Sequence, residues 1–265
     1  MPIIAIISDL GNRDHFVGAM KGAMLAINPG VTIVDITHEV PKHDILRGAF
    51  TLAHAAETFP KGSIFVAVVD PGVGTERKGI LLKTKNDLLF IGPDNGIFTL
   101  VAERFGVGQV REITNRSLMR GEVSPTFHGR DIFAPVAAHL SLGVDPREVG
   151  PELREIKRLE LPMPKKEGEM LVGEVIAVDD FGNVLTNINR ELLEGFAGIG
   201  DSLRVKLEEK LFKAKFVRTF GDVRVGEALC YIGSVGMLEV AKNMGNLGKE
   251  VGAALGSKIF IERRP

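Results

Sequence analysis

Ile64-Phe65-Val66-Ala67-Val68-Val69-Asp70-Pro71-Gly72-Val73-Gly74-Thr75-Glu76-Arg77 is the stretch in which this chain declares its architecture. The apolar, β-branched run over residues 64–69 predicts a strand buried on both faces, hence a central strand of a parallel sheet. Asp70 ends it and Pro71-Gly72 forbids its continuation. A loop with two glycines and one arginine follows. Ligands of open α/β sheets bind outside the carboxyl ends of strands, so Asp70 and Arg77 fall where chemistry is expected. The plainer reading, a strand-end turn with a surface ion pair, is as good for this segment alone. Other strands of the chain ending in the same kind of residue favour the functional one.

Working outward, residues 3–8 predict a first strand closing on Asp9. Phe16, Val17, Met20, Met24 and Ile27 then recur at helical spacing up to Asn28-Pro29-Gly30. A second strand is expected over 31–36, then a polar loop, His38-Glu39-Val40-Pro41-Lys42-His43, and a helix capped by Asp44 and running to Ala56. Strand-helix-strand-helix-strand of this length implies right-handed parallel crossovers. Two shorter strands are expected around Lys85-Asn86-Asp87. The second ends in Gly92-Pro93-Asp94-Asn95-Gly96, with a short helix over 97–105. Ser124-Pro125-Thr126-Phe127-His128-Gly129-Arg130-Asp131 leads into an apolar helix over 132–140. Residues 1–160 thus read as one α/β layer domain with a mainly parallel sheet.

Composition shifts at Leu161-Pro162-Met163-Pro164-Lys165-Lys166-Glu167-Gly168, a polar, proline-bearing linker. Beyond it the apolar period becomes two: Leu203, Val205 and Leu207 alternate with charged residues, as do Phe212, Ala214 and Phe216, and Ile259 and Ile261 follow suit. That pattern predicts antiparallel strands with one wet face, so residues 169–265 form a small β-barrel or sandwich. Residues 172–178 and 184–188 flank Asp179-Asp180-Phe181-Gly182-Asn183, a hairpin tip.

A length of 265 residues allows a large core, and a net charge of −1 supplies no field toward nucleic acid or an anionic membrane, which points to a small ligand. The single cysteine, Cys230, excludes a disulfide framework and any cysteine-based zinc site and suits a reducing compartment. The N-terminus lacks the basic flank of a signal peptide and no apolar run reaches membrane-spanning length, so a cytoplasmic protein is expected. There is no P-loop, no Gly-x-Gly-x-x-Gly after the first strand and no Gly-x-Ser-x-Gly, which argues against ATPases, NAD enzymes and Ser-His-Asp hydrolases.

His38, Glu39, His43 and Asp44, with His128 and Asp131, suggest a metal shell. Their spacing lacks helical i, i+4 geometry, and a polar loop whose Asp44 caps a helix is the better account, so no metal is expected. Asp9 reads either as a helix cap or as a carboxylate accepting two ribose hydroxyls. With no phosphate-binding glycines nearby, the latter implies a nucleoside without a phosphate chain. In the second half, Phe181 offers a ring to stack on a planar base beside the Asn183 amide, a donor and acceptor suited to adenine.

Asp70-Pro71-Gly72-Val73-Gly74-Thr75, Gly92-Pro93-Asp94-Asn95-Gly96, Phe127-His128-Gly129-Arg130-Asp131-Ile132-Phe133-Ala134-Pro135 and Asp180-Phe181-Gly182-Asn183 together resemble the SAM hydrolase family. These enzymes are also called SAM hydroxide adenosyltransferases and are relatives of fluorinase and chlorinase. The resemblance spans nearly the whole chain. It implies an N-terminal α/β domain, a C-terminal antiparallel β-barrel, and a homotrimer with sites between subunits. The implied substrate is S-adenosylmethionine, the implied products are adenosine and methionine, and no cofactor is implied. It further implies that Asp70, Arg77 and His128 handle the water, that Asp9 binds ribose, and that Asn183, with Phe181 near it, contacts adenine. Ser234 and Glu239 fall in the C-terminal ligand-binding stretch, and Asp180 near the methionine part. The family's halogenases lack this Arg/His pairing, so the implied nucleophile is water. A sensor that binds SAM or adenosine without turnover and a chlorinase-like halogenase are the alternatives; a mere binder needs no group aimed at the ribose C5′ carbon.

Overall fold

The computed structural model describes residues 2–263 and divides into two compact units at Leu159/Glu160. In the first unit β1 (Ile3–Ser8), β2 (Thr32–Thr37) and β3 (Ile64–Val68) are joined through α1 (Phe16–Leu25) and α2 (Ile45–Ala56). The chain continues through β4 (Gly79–Thr84), β5 (Leu89–Pro93), α3 (Thr99–Phe105), β6 (Val107–Glu112) and α4 (Ala134–Ser141). The six-stranded sheet has the order β2-β1-β3-β5-β4-β6. Its β2, β1, β3 and β5 run parallel, while β4 pairs antiparallel with both β5 and β6. As the sequence predicts, β3 lies inside the sheet with all five residues buried. Asp44 caps α2 by accepting from the backbone N–H of Arg47 at 2.9 Å.

Side chains alternate across the sheet. Ile4, Ile6, Val66 and Val68 pack with Met20, Met24 and Phe133 on one face, and Ala5, Ile7, Phe65 and Ala67 with Leu52, Phe90 and Phe98 on the other. Each such large side chain withdrawn from water contributes roughly 1.5–3 kcal/mol. Where β5 passes β3 there is no space for a side chain: a Cβ on Gly92 would lie 2.4 Å from the Ala67 carbonyl oxygen. Just beyond, the Asn95 amide donates to the Val69 carbonyl at 2.8 Å. The Gly92-to-Gly96 motif is therefore a brace on the residue before Asp70.

In the second unit the linker is shorter than the sequence suggests, because Lys165–Glu167 forms β7 against β8 (Met170–Val178). The remaining strands are β9 (Val184–Asn189), β10 (Ser202–Leu207), β11 (Lys210–Phe216), β12 (Ala228–Ile232), β13 (Met237–Lys242) and β14 (Lys258–Arg263). The sheet order is β14-β10-β11-β12-β13-β9-β8-β7, and an additional β14–β8 pairing closes it into a barrel. The first half of β8 has β7 beside it and its second half has β9, so β7 stands outside the closed ring. Of the two readings left open by the alternation, barrel or sandwich, the barrel is the fold. One pairing departs from antiparallel: β11 and β12 run parallel over Lys215↔Leu229 and Phe216↔Cys230. The interior is filled by the alternating residues, Leu203, Val205, Leu207, Ala214, Phe216, Ile259 and Ile261 among them.

Candidate active site

The strand order places the carboxyl ends of β1 and β3 side by side, Ser8 facing Val68 in the parallel register. The chain leaves β1 toward β2 on one side and returns to β3 on the other, which makes this a topological switch point where α/β sheets bind ligands. Asp9 is the first residue past the end of β1 and Asp70 the second past the end of β3. A cleft of about 280 Å³ opens there, lined by Asp9, Asp14, Phe16, Lys42, Asp70 and His128 among others.

Asp70, Arg77 and His128 form one hydrogen-bonded chain. Arg77 donates from Nε to Asp70 Oδ1 at 3.0 Å and from Nη2 to Asp70 Oδ2 at 2.5 Å, a bidentate pair with both side chains nearly buried. Arg77 Nη2 also lies 2.7 Å from His128 Nδ1, and the guanidinium rests over the Phe133 ring with its Cζ 5.4 Å from the centroid. Arginine has only donors to offer, so His128 Nδ1 accepts and the ring's proton sits on Nε2. Burial, reinforced by the charge of Arg77, holds His128 below the ordinary imidazole value of 6.5, against the opposing pull of Asp70 and Asp131. His128 is therefore a neutral donor through Nε2.

Two loops must meet to make this chain, and the packing shows how. Gly74 stands at φ +79°, and a Cβ there would lie 2.5 Å from the Pro125 carbonyl oxygen. On the far side, fully buried Asp131 accepts from Ser124 N at 2.9 Å and takes the Arg130 guanidinium at 2.6 and 2.8 Å, closing the turn that carries His128. Burial works to raise the Asp131 carboxyl, but the Arg130 and Ser124 hydrogen bonds outweigh it and hold the group below the usual carboxylate value. The expected helix over 132–140 begins with a π-helical turn, Gly129–Phe133.

Asp9 is buried and joins the same cleft. Its Oδ2 accepts from the backbone N–H of His43 at 2.9 Å, and Lys42 Nζ donates to its carbonyl oxygen. Lys42, Phe16 and Thr126 are lining residues that sequence reasoning missed. The loop weighed as a metal ligand set was the signal for Lys42, since it follows β2, the neighbour of β1. Among the described residues no three His, Cys, Asp or Glu side chains gather as a metal shell would. Glu39 instead takes the Asn12 amide at 2.9 Å, while Asp44 caps α2.

The other predicted site residues lie in the second unit. Asn183 donates from its backbone N–H and from Nδ2 to the two Asp179 oxygens, both at 2.8 Å, leaving its amide oxygen and one N–H for a ligand. Phe181 is 79% exposed at the tip of this turn, and Asp180 is exposed beside it. Glu239 accepts from the Tyr231 hydroxyl; Ser234 is exposed in the turn between β12 and β13. Burial, with the nearby charge of Asp179, raises the Glu239 carboxyl despite the Tyr231 bond. Tyr231, the chain's single tyrosine, went unnoticed in sequence because β12 does not alternate cleanly. Asn187 is occupied structurally, accepting from Glu174 N and donating to the Pro162 carbonyl.

An α/β unit with a cleft bearing Asp9, Asp70 and His128 at its switch point, followed by a closed β-barrel, defines the architecture in which comparison with known proteins places this chain. The chain belongs to the SAM hydroxide adenosyltransferase family, whose N-terminal domain model matches residues 4–150 and whose C-terminal domain model matches residues 173–260. It is 41% identical to an (R)-S-adenosyl-L-methionine hydrolase of Salinispora tropica, over 98% of this chain and 97% of that one. It is 37% identical to a protein of the same name from Thermus thermophilus, over 97% and 98% of the two chains. A fluorinase of Actinoplanes sp. is 34% identical over 99% and 98%. Among solved structures, an uncharacterized conserved protein from Thermotoga maritima superposes with a TM-score of 0.94 at 44% identity, over 98% of this chain and 100% of that one.

Proposed function

We propose that this protein hydrolyses S-adenosyl-L-methionine to adenosine and L-methionine. The carrying observation is the Asp70–Arg77–His128 chain, whose Asp70 and His128 line the same cleft as Asp9. In this reading Asp9 holds the ribose hydroxyls, Asn183 and Phe181 hold adenine, Asp180 lies near the methionine portion, and Ser234 and Glu239 belong to the C-terminal ligand-binding stretch. The water oxygen forms a bond to C5′ as the C5′–S bond breaks, and the sulfur leaves with the electron pair as a neutral thioether. A neutral leaving group needs no general acid, and no cofactor is called on. The water proton passes to solvent.

Generating free hydroxide at neutral pH from water of pKa ~15.7 costs about 12 kcal/mol at ~1.36 kcal/mol per unit. Two side chains do not supply that alone, so the proton leaves late, along with the displacement. Asp70 fixes Arg77, and Arg77 fixes His128 with Nε2–H as its free donor. Donors aimed at the attacking oxygen hold it in line with C5′ and favour it increasingly as it sheds its proton. His128 thereby orients and stabilises the nucleophile and is not its base.

The active assembly in this reading is a cytoplasmic homotrimer that completes each site from two subunits. Four of the relatives bear the prefix (R), and the same sulfonium epimer is the proposed substrate. The test is to incubate the protein with each resolved epimer in ¹⁸O-labelled water, with and without EDTA, and identify products by chromatography and mass spectrometry. Adenosine carrying label at the 5′-oxygen, undiminished by EDTA, is expected. Adenosine without label, no turnover at all, or 5′-chloro-5′-deoxyadenosine when chloride is present would sink the proposal.

A further inference from the structure

The loop His38–His43, which the sequence offers as a metal candidate, closes instead around the base of Asp9. Ser8, the last residue of β1, is fully buried, and its Oγ accepts from Leu10 N at 3.3 Å. The same Oγ lies 2.7 Å from Nδ1 of His38, itself 3% exposed. Nδ1 is thereby paired inside the protein, and of the two ring nitrogens Nε2 is the one that faces Asp35. That Nε2 is buried 3.1 Å from Asp35 Oδ1, close enough for attraction but out of line for a well-formed hydrogen bond, and Lys21 neutralises Asp35 from outside at 2.5 Å. The backbone repeats the staple: Gly11 N donates to the His38 carbonyl at 2.7 Å and Val40 N to the Ser8 carbonyl at 3.3 Å.

Aspartate, histidine and serine in a row resemble a hydrolase triad, but a serine with no exposed surface meets no substrate. What the row does touch is the turn at residues 8–10. The Ser8 hydroxyl bonded to Leu10 N is an ST-turn, and such turns fix the backbone of the residue between. That residue is Asp9, whose Oδ2 is held from the opposite side by the His43 N–H. A carboxylate that must accept two adjacent ribose hydroxyls tolerates little rotation, since a hydrogen bond weakens steeply off its axis.

We propose that the Ser8–His38 hydrogen bond is the positioning device of the ribose-binding carboxylate, with Ser8 and His38 acting on substrate affinity solely through Asp9. This rests on the reading of Asp9 as the ribose ligand. Removing the hydroxyl leaves the Leu10 N–H and His38 Nδ1 both without their partner in a buried site, and the turn relaxes. The water-handling residues stand on other loops and keep their geometry.

The experiment measures kcat, KM and adenosine affinity for Ser8→Ala, Ser8→Thr, Asp9→Asn and the Ser8→Ala/Asp9→Asn double variant. Ser8→Ala should raise KM and the adenosine Kd about five- to tenfold with kcat within about twofold, the worth of one hydrogen bond in the ground state. Threonine keeps the hydroxyl and should restore binding. The double variant should bind no more weakly than Asp9→Asn alone, because the device has nothing left to position. Should Ser8→Ala fail to fold, His38→Asn, whose amide can pair with the Ser8 hydroxyl in place of Nδ1, should retain affinity that His38→Leu loses. Unaltered adenosine binding in Ser8→Ala beside weakened binding in Asp9→Asn overturns the positioning role and leaves the ribose reading standing. Unaltered binding in Asp9→Asn overturns the ribose reading itself, and the positioning role with it.

Discussion

Protonating His128 at Nδ1 would set a new N–H against the Arg77 donor 2.7 Å away, so the neutral ring is the working form. Burial and Arg77 together hold its pKa below 6.5 in the folded protein. The folded state thus binds this proton less readily than the unfolded chain. The stability this site contributes is complete above the unfolded value and is lost as pH falls from there through the lowered folded value. Wild type should accordingly show an acid limb in kcat/KM with its midpoint below 6.5, and the melting-temperature gap between wild type and His128→Asn should narrow with falling pH in that window. A gap that widens on acidification contradicts a neutral His128. Arg77→Lys tests the other half of the chain. A lysine is a point charge that cannot grip both Asp70 oxygens and still present a directed N–H to His128. Loss of about 10²-fold in kcat is expected, the scale of a 1 Å misplacement, with adenosine binding retained. Full activity in Arg77→Lys would reduce Arg77 to a mere positive charge.

At the scale of elements, the site depends on two loops meeting, and Gly74 is the seam. Alanine there adds left-handed strain and drives a methyl into the Pro125 carbonyl. Gly74→Ala should cost about 2 kcal/mol or more in stability and lower kcat beyond what the stability loss explains, by parting Arg77 from His128. Thermal melts and kinetics on the same preparation read both. This contact lies between residues 74 and 125 and leaves no mark in local sequence. What sequence does carry is the strand ends: Asp9 and Asp70 each close an apolar run, and β1, α2 and β3 lie where periodicity and the Asp44 cap put them. The strand order is not local information, so the adjacency of Asp9 and Asp70 needed the fold. The barrel shows the same division. The alternation of β10 and β11 marks them plainly, whereas β7 lies inside a segment that reads as a linker. β12 carries Cys230 and Tyr231 in a run without clean alternation, and its partner Glu239 reads as a ligand residue before it reads as strand.

At the scale of the whole molecule, the residues assigned to one substrate are divided between two units, Asp9, Asp70, Arg77 and His128 in the first and Asn183, Ser234 and Glu239 in the second. A nucleoside needs walls on several sides, and clefts between domains or subunits are where such sites usually form. The proposed trimer joins the first unit of one chain to the second unit of its neighbour, a heterologous interface that closes into a ring. Mixing distinguishes this from a site within one chain. Take His128→Ala, which lacks chemistry, and Asn183→Ala, which lacks binding, and unfold and refold them together in equal amounts. In a shared site the first unit is intact with a chance of one half and so is the neighbour's second unit, so roughly a quarter of the sites regain both and activity returns to about that fraction. In a site confined to one chain every copy keeps its lesion and the mixture stays as inactive as its components. Mass spectrometry of the refolded sample establishes that mixed trimers formed. A mixed trimer without recovered activity refutes the shared site, and a protein that refolds only as monomers refutes the trimer itself.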